Sequence, residues 1–116
     1  MKKDLKDRTK QFALEVIKMI NNIPNNQAGY VIRGQLVKSS TSIGANYRSA
    51  LRGRSKAEFI SKIGIVEEEA DETVFWLELL QDSGFVCTSI IHPLLDEANQ
   101  LTAIFTSMGK TAKSNK

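Results

Sequence analysis

The chain has 116 residues with two prolines, seven glycines and one cysteine. That length suits one domain with its own core, and a single thiol excludes an internal disulfide and any zinc cluster built on several thiolates. The formal charge is +3, yet residues 1–62 carry 13 Lys and Arg against 4 Asp and Glu, while residues 63–109 carry 9 Asp and Glu and no Lys or Arg.

Such a division has two readings. The halves neutralise each other, within one subunit or between subunits, or the basic half faces a polyanion. Scarce proline and glycine leave long stretches open to helix. The N-terminus opens on lysines, but Asp4, Asp7, Arg8, Lys10, Glu15 and Lys18 interrupt every apolar run, so no signal-peptide core is expected. No segment reaches the length of a membrane span. A lone cysteine suits a reducing compartment, and the expected location is the cytoplasm.

The first helix is predicted from Asp4 to Asn22. Leu5, Thr9, Phe12, Val16, Met19 and Ile23 repeat every three or four positions, with Ala13, Ile17 and Ile20 widening the stripe. Lys6, Lys10 and Lys18 fall largely outside it. Pro24 stops the helix, and Asn25-Asn26 supplies turn and cap chemistry for the next.

The second helix is predicted from Ala28 to Arg52, with Leu36, Ser40, Ile43, Tyr47 and Leu51 as its stripe, flanked by Val37, Gly44 and Ala50. Its centre is poor in helix formers. The small residues Ser40, Gly44 and Ala45 sit at helical spacing, where they let another helix come close. A phosphate cradle is not expected there, because no glycine-rich loop follows a strand.

Arg52-Gly53-Arg54-Ser55 is the expected turn. Gly53 reads as a left-handed helix terminator. Ser55 and Glu58 read as a capping box that starts the third helix, predicted from Lys56 to Asp82. Its stripe is Phe59, Ile63, Val66, Ala70, Thr73 or Val74, Leu77 and Leu80. Gly84 is the expected left-handed residue after it, with Phe85 packing back. The fourth helix is predicted to begin between Ser89 and Pro93, with Pro93 in its first turn. Leu94, Ala98, Leu101, Phe105 and Met108 form its stripe, beside Leu95 and Ile104, and the polar tail at 110–116 is expected to fray.

Four helices with three short connections predict an all-α fold, an antiparallel up-down-up-down four-helix bundle formed as a single domain over 1–116. A hairpin turning near residue 54 pairs positions whose numbers add to about 107 or 108. That register sets Gly44 against Gly64, Ser40 against Glu67 and Val37 against Ala70. Glu67 is then expected to be partly buried and to accept a hydrogen bond from Ser40 or Thr41.

Catalytic chemistry finds little support. A two-metal carboxylate bundle needs Glu-x-x-His pairs, and none occurs; the sole histidine, His92, sits at a helix start. Cys87 reads as a small buried apolar residue and His92 as a capping or surface residue. Trp76 falls one step off the core stripe, where it would anchor another subunit if exposed. No catalytic residue, metal or cofactor is expected. The basic group around the hairpin tip, Arg48, Arg52, Arg54, Lys56 and Lys62 against the one acid Glu58, is the strongest candidate for function. Arginine forks match phosphate oxygens.

Residues 35–50 (QLVKSSTSIGANYRSA) and 54–80 (RSKAEFISKIGIVEEEADETVFWLELL) resemble the bacterial four helix bundle protein family. These proteins are encoded in some bacteria within intervening sequences of the large-subunit ribosomal RNA gene, and are also named as ribosomal-protein-like. The resemblance spans about residues 4–112. It implies a non-enzymatic bundle that assembles as a homopentameric, barrel-like ring. A related protein, the accessory variability protein of diversity-generating retroelements, is strongly basic and binds nucleic acid and a reverse transcriptase. The positions matched to a basic RNA- or DNA-binding surface are Arg48, Arg52, Arg54 and Lys56, with Lys38 and Lys62. The expected function is a nucleic-acid-associated accessory or scaffold. The alternative is a purely structural protein–protein assembly module.

Overall fold

The computed structural model describes residues 4–115, and among them it places four α-helices: α1, Leu5–Met19; α2, Gln27–Leu51; α3, Lys56–Ser83; and α4, Thr88–Ser114. A short 3-10 turn, Ile20–Asn22, extends α1. Lys2, Lys3 and Lys116 lie outside the described residues.

Each boundary has a local cause. Asp4 caps α1 by accepting from the Asp7 N–H at 2.9 Å. Asn26 caps α2 by accepting from the Gly29 N–H at 2.7 Å. Ser55 caps α3 by accepting from the Glu58 N–H at 3.1 Å, while Glu58 Oε2 accepts from the Arg54 N–H at 2.6 Å. The box therefore closes one residue further out than the usual form, on the residue before the cap. Gly84 ends α3 in the left-handed region, at φ 73°, and Phe85 packs back on the core.

The helices contact in ring order, α1 on α2, α2 on α3, α3 on α4 and α4 on α1. This is the expected up-and-down bundle. The envelope of 48 × 32 × 19 Å has the thickness of two helix layers. Phe12 and Val16 of α1, Leu36 and Ile43 of α2, Ile63 and Leu77 of α3, and Leu101 and Phe105 of α4 fill the centre with almost no exposure. Each such side chain contributes roughly 1.5–3 kcal/mol by leaving water. The Tyr47 and Phe105 rings meet across the core at 5.3 Å.

Several local expectations are corrected. Gly53 is not left-handed: Gly84 is the positive-φ residue among those described. Instead α2 tightens at its end, with Arg52 N–H donating to Ser49 O at 3.1 Å and Gly53 N–H to Ala50 O at 3.0 Å. Those shorter loops satisfy the last carbonyls without a left-handed residue. Gly53 eases a tight turn, since a β-carbon there would lie 3.1 Å from the Ala50 carbonyl oxygen.

The hairpin register also differs. Ser39 of α2 meets Thr73 of α3, and their numbers add to 112. The first turn of α3 lies beside Gly53, so the chain reverses about two residues later than the loop centre suggests, and the pairing shifts by about one helical turn. Gly44 consequently does not face Gly64. A β-carbon on Gly44 would lie 3.0 Å from Thr9 Oγ1 of α1, whereas one on Gly64 would meet nothing within 4 Å. The close approach belongs to α1 and α2. Glu67 is partly buried as expected, but it accepts from the Thr106 hydroxyl of α4 at 2.7 Å. Ser40 is buried, and its hydroxyl turns back to Val37 O at 3.3 Å.

Leu51, assigned to the core stripe, is 49% exposed; Ala50 takes the inward position. Helix α4 begins at Thr88, so Pro93 falls in its second turn and removes the bond to Ser89 O. The helix continues past residue 110 to Ser114. Gly109 is buried against α3, with Ile63 Cγ2 at 3.7 Å from where its β-carbon would stand. That contact carries the helix past the glycine. Cys87 is exposed, because Val86 takes the buried place before α4.

Candidate nucleic-acid interface

The last turns of α2 and the first turns of α3 enclose a groove of about 520 Å³. The small residues that line its floor are Ala45 and Ser49, one turn apart on α2, and Gly53 just past the end of that helix. Arg48, Arg52, Arg54 and Lys62 stand around it. A floor without long side chains lets an anion come near the backbone while the guanidinium groups reach it from the rim.

Local sequence explains the arrangement. Arg48 and Arg52 are one turn apart on α2, so they share a side. Both stand at the negative end of that helix, which favours their charge. Arg54 is held in the connection because its N–H is bound by Glu58 Oε2. Lys62 comes from the second turn of α3, and Lys56 does not line the groove. Lys38 lies away from it, near Glu69, and its charge opposes the rise in the Glu69 pKa. Of the six cations proposed from sequence, the fold gathers Arg48, Arg52, Arg54 and Lys62.

The charge in this groove is not cancelled. Among the described residues the ion pair within 4.0 Å is Arg8 with Glu97, at 2.7 Å. The sole acid of the groove, Glu58, is fixed by the cap. A larger groove of about 650 Å³ between α1 and α4 gives the contrast. There Arg8 Nε and Nη2 each donate to Glu97 at 2.7 Å, and the neighbouring carboxylate holds the Arg8 pKa up. That guanidinium has no fork left for a ligand.

The acidic stretch on α3 is dispersed. Glu67 turns to α4, and Glu69 faces α2, where burial and then the nearby Glu72 raise its pKa against the Ser42 hydroxyl and Lys38. Among the described residues no group of three or more His, Cys, Asp or Glu is placed to hold a metal ion. His92 is exposed on α4. The exposed Cys87 thiol lies 2.9 Å from Ser89 Oγ, and the hydrogen bonds from Ser89 lower its pKa. Trp76 is half-buried, with its Nε1 donating to Glu72 Oε1 at 3.3 Å and its ring edge-on to Phe75 at 5.0 Å. No described helix is long and apolar enough to cross a membrane.

The model of a known family, described as 23S rRNA-intervening sequence protein, matches residues 2–107. The chain belongs to the 23S rRNA-intervening sequence protein family. A solved relative, a protein of unknown function from the S23 ribosomal protein family of Bacteroides thetaiotaomicron VPI-5482, is 32% identical over 92% of this chain and 99% of its own. The two superpose with a TM-score of 0.84. No curated protein matches the chain. In this member of the 23S rRNA-intervening sequence protein family, the tip of the α2–α3 hairpin thus carries the unpaired arginines.

Proposed function

We propose that the protein is a non-enzymatic, self-assembling bundle that associates with nucleic acid in the cytoplasm as an accessory or scaffold. The observation that carries this reading is the groove in which Arg48, Arg52, Arg54 and Lys62 surround a floor of small residues with no carboxylate in ion-pair contact. Phosphate oxygens are the chemistry that such forks and point charges accept.

Self-association is supported by a second surface. On α3, Phe75 is 51% exposed beside the half-buried Trp76, and Leu79 follows one turn later at 36%. Aromatic side chains of this kind anchor subunit contacts. A ring of five copies, as the family resemblance implies, would repeat the arginine groove and multiply weak contacts.

The test is retention of a labelled mixed-sequence RNA at low salt by the native protein and by the R48A/R52A/R54A variant, with mass in solution measured for both. Binding by the native oligomer and loss in the variant is the expected result. Equal retention by both, or a monomer mass, contradicts the reading. The second reading is an assembly module without nucleic-acid binding. It is favoured by the same absence of an ion-pair partner for the groove's cations among the described residues, since the basic tip of one copy could meet the acidic α3 of another; it requires the variant to dissociate rather than to lose RNA.

A further inference from the structure

The arginine groove does not end at α2. A second groove, of about 370 Å³, runs between α1 and α2 and is lined by Lys6, Lys10, Thr41, Gly44 and Arg48 among others. Both grooves include Ala45 and Arg48. They therefore meet on the exposed side of α2, with Arg48 at the junction.

The join has a cause in packing. Gly44 lets Thr9 of α1 approach closely, since a β-carbon there would lie 3.0 Å from the Thr9 hydroxyl. Seating α1 this near sets Lys6 and Lys10, one turn apart and each next to a turn of Thr9, along the same side as Arg48. Both lysines are exposed. The acid in this second groove is Asp7, which lies in the first turn of α1, where the positive end of the helix offsets its charge.

We infer that Lys6 and Lys10 extend the arginine groove into one track that holds the phosphate backbone of a single-stranded nucleic acid. The inference rests on the nucleic-acid reading above and names the partner and its path. The cations in order are Lys6, Lys10, Arg48, Arg52, Arg54 and Lys62, against the acids Asp7 and Glu58. The stretch of α2 that floors both grooves, from Thr41 to Arg52, is about 16 Å long at 1.5 Å per residue. An extended single strand spaces its phosphates about twice as far apart as the 3.4 Å of a duplex strand, so that length spans about two or three phosphates. A positively charged groove that tracks one backbone is the way single strands are held, and a duplex is the competing occupant that the test decides. No aromatic side chain lines either groove, so bases are not stacked there and the contact is blind to sequence.

The test compares two double variants of the full chain that remove the same charge. K6A/K10A alters the track. K18A/K110A removes two exposed lysines that line neither groove. Binding of labelled mixed-sequence single-stranded RNA is followed across a salt series, with a duplex of the same sequence as a second arm. The expected result for K6A/K10A is a salt slope shallower by about one unit and affinity roughly tenfold lower at low salt, with K18A/K110A close to native. If K6A/K10A binds as the native protein does while R48A/R52A/R54A loses RNA, the track is overturned and the hairpin groove stands alone. Equal loss in both double variants shows a response to net charge, and also overturns it. Tighter binding of the duplex than of the single strand overturns the inferred occupant. If neither K6A/K10A nor R48A/R52A/R54A changes binding, the nucleic-acid reading falls with it.

Discussion

The Ser39 and Thr73 hydroxyls meet at 2.9 Å between α2 and α3, with both residues almost wholly out of water. Thr73 also reaches Glu69 O at 2.8 Å, and Ser39 reaches Leu36 O at 3.3 Å. Two small polar groups thus fix the hairpin register inside an otherwise apolar layer. S39A and T73V are each expected to cost about 1 kcal/mol. In S39A/T73V the loss should fall short of the sum by roughly 0.5–1 kcal/mol, because the two hydroxyls serve each other. Denaturant unfolding of the four proteins gives the cycle, and strict additivity would contradict the pairing.

The two glycines once expected to face each other should respond differently to alanine. Gly64 has open space around its missing β-carbon, so G64A gains helix propensity and stabilises by up to about 1 kcal/mol. At Gly44 the new methyl meets Thr9 Oγ1 at 3.0 Å, which offsets that gain. G64A should therefore melt at a higher temperature than G44A. The reverse order would place the close contact on α3 after all.

Glu69 provides a pH-dependent readout. Burial first, and then Glu72, raise its pKa above the ordinary 4.5. The folded protein then binds this proton more tightly than the unfolded chain does. Its favourable contribution is present below 4.5 and is lost as pH rises through the folded value. At neutral pH the charge works against the fold, weakly, since the side chain is only half-buried. E69Q should be slightly more stable than the native protein at neutral pH, and the gap should close in acid. Thermal melts across pH test this.

Glu58 joins the cap to the groove. In E58Q the side-chain carbonyl still accepts from the Arg54 N–H, so α3 keeps its start. The acid beside the four cations is gone. RNA binding should strengthen a few-fold with little change in stability. A variant that loses stability and gains no affinity would remove Glu58 from the groove's electrostatics.

Much of the fold could be read from sequence because periodicity and capping are local. Asp4, Asn26, Ser55 and Gly84 mark their boundaries by side-chain type, and each boundary falls within a residue or two of its expected place. What was not legible depends on how helices rotate against each other. The observed packing sets Gly44 against Thr9 of α1, Glu67 against Thr106 of α4, and Ser39 against Thr73 through a shift of about one turn in the pairing of α3. Counting outward from a loop does not contain that shift. For the same reason Arg48, Arg52, Arg54 and Lys62 were found as a cluster in sequence, while Lys6 and Lys10 read only as the polar side of α1. Their place beside Arg48 follows from the approach of two helices at a glycine. The spacing of Ala45, Ser49 and Gly53 was available as a signal for the groove floor.

The central claim is that the hairpin tip presents unneutralised arginines to phosphate. It is tested most directly by the slope of binding affinity against salt concentration on logarithmic axes, for mixed-sequence single-stranded RNA. The native protein is expected to give a slope steeper than about −2, and R48A/R52A/R54A a slope shallower by about 2, at roughly 0.7 per phosphate contact. A native slope near zero, or one unchanged in the variant, would contradict the account.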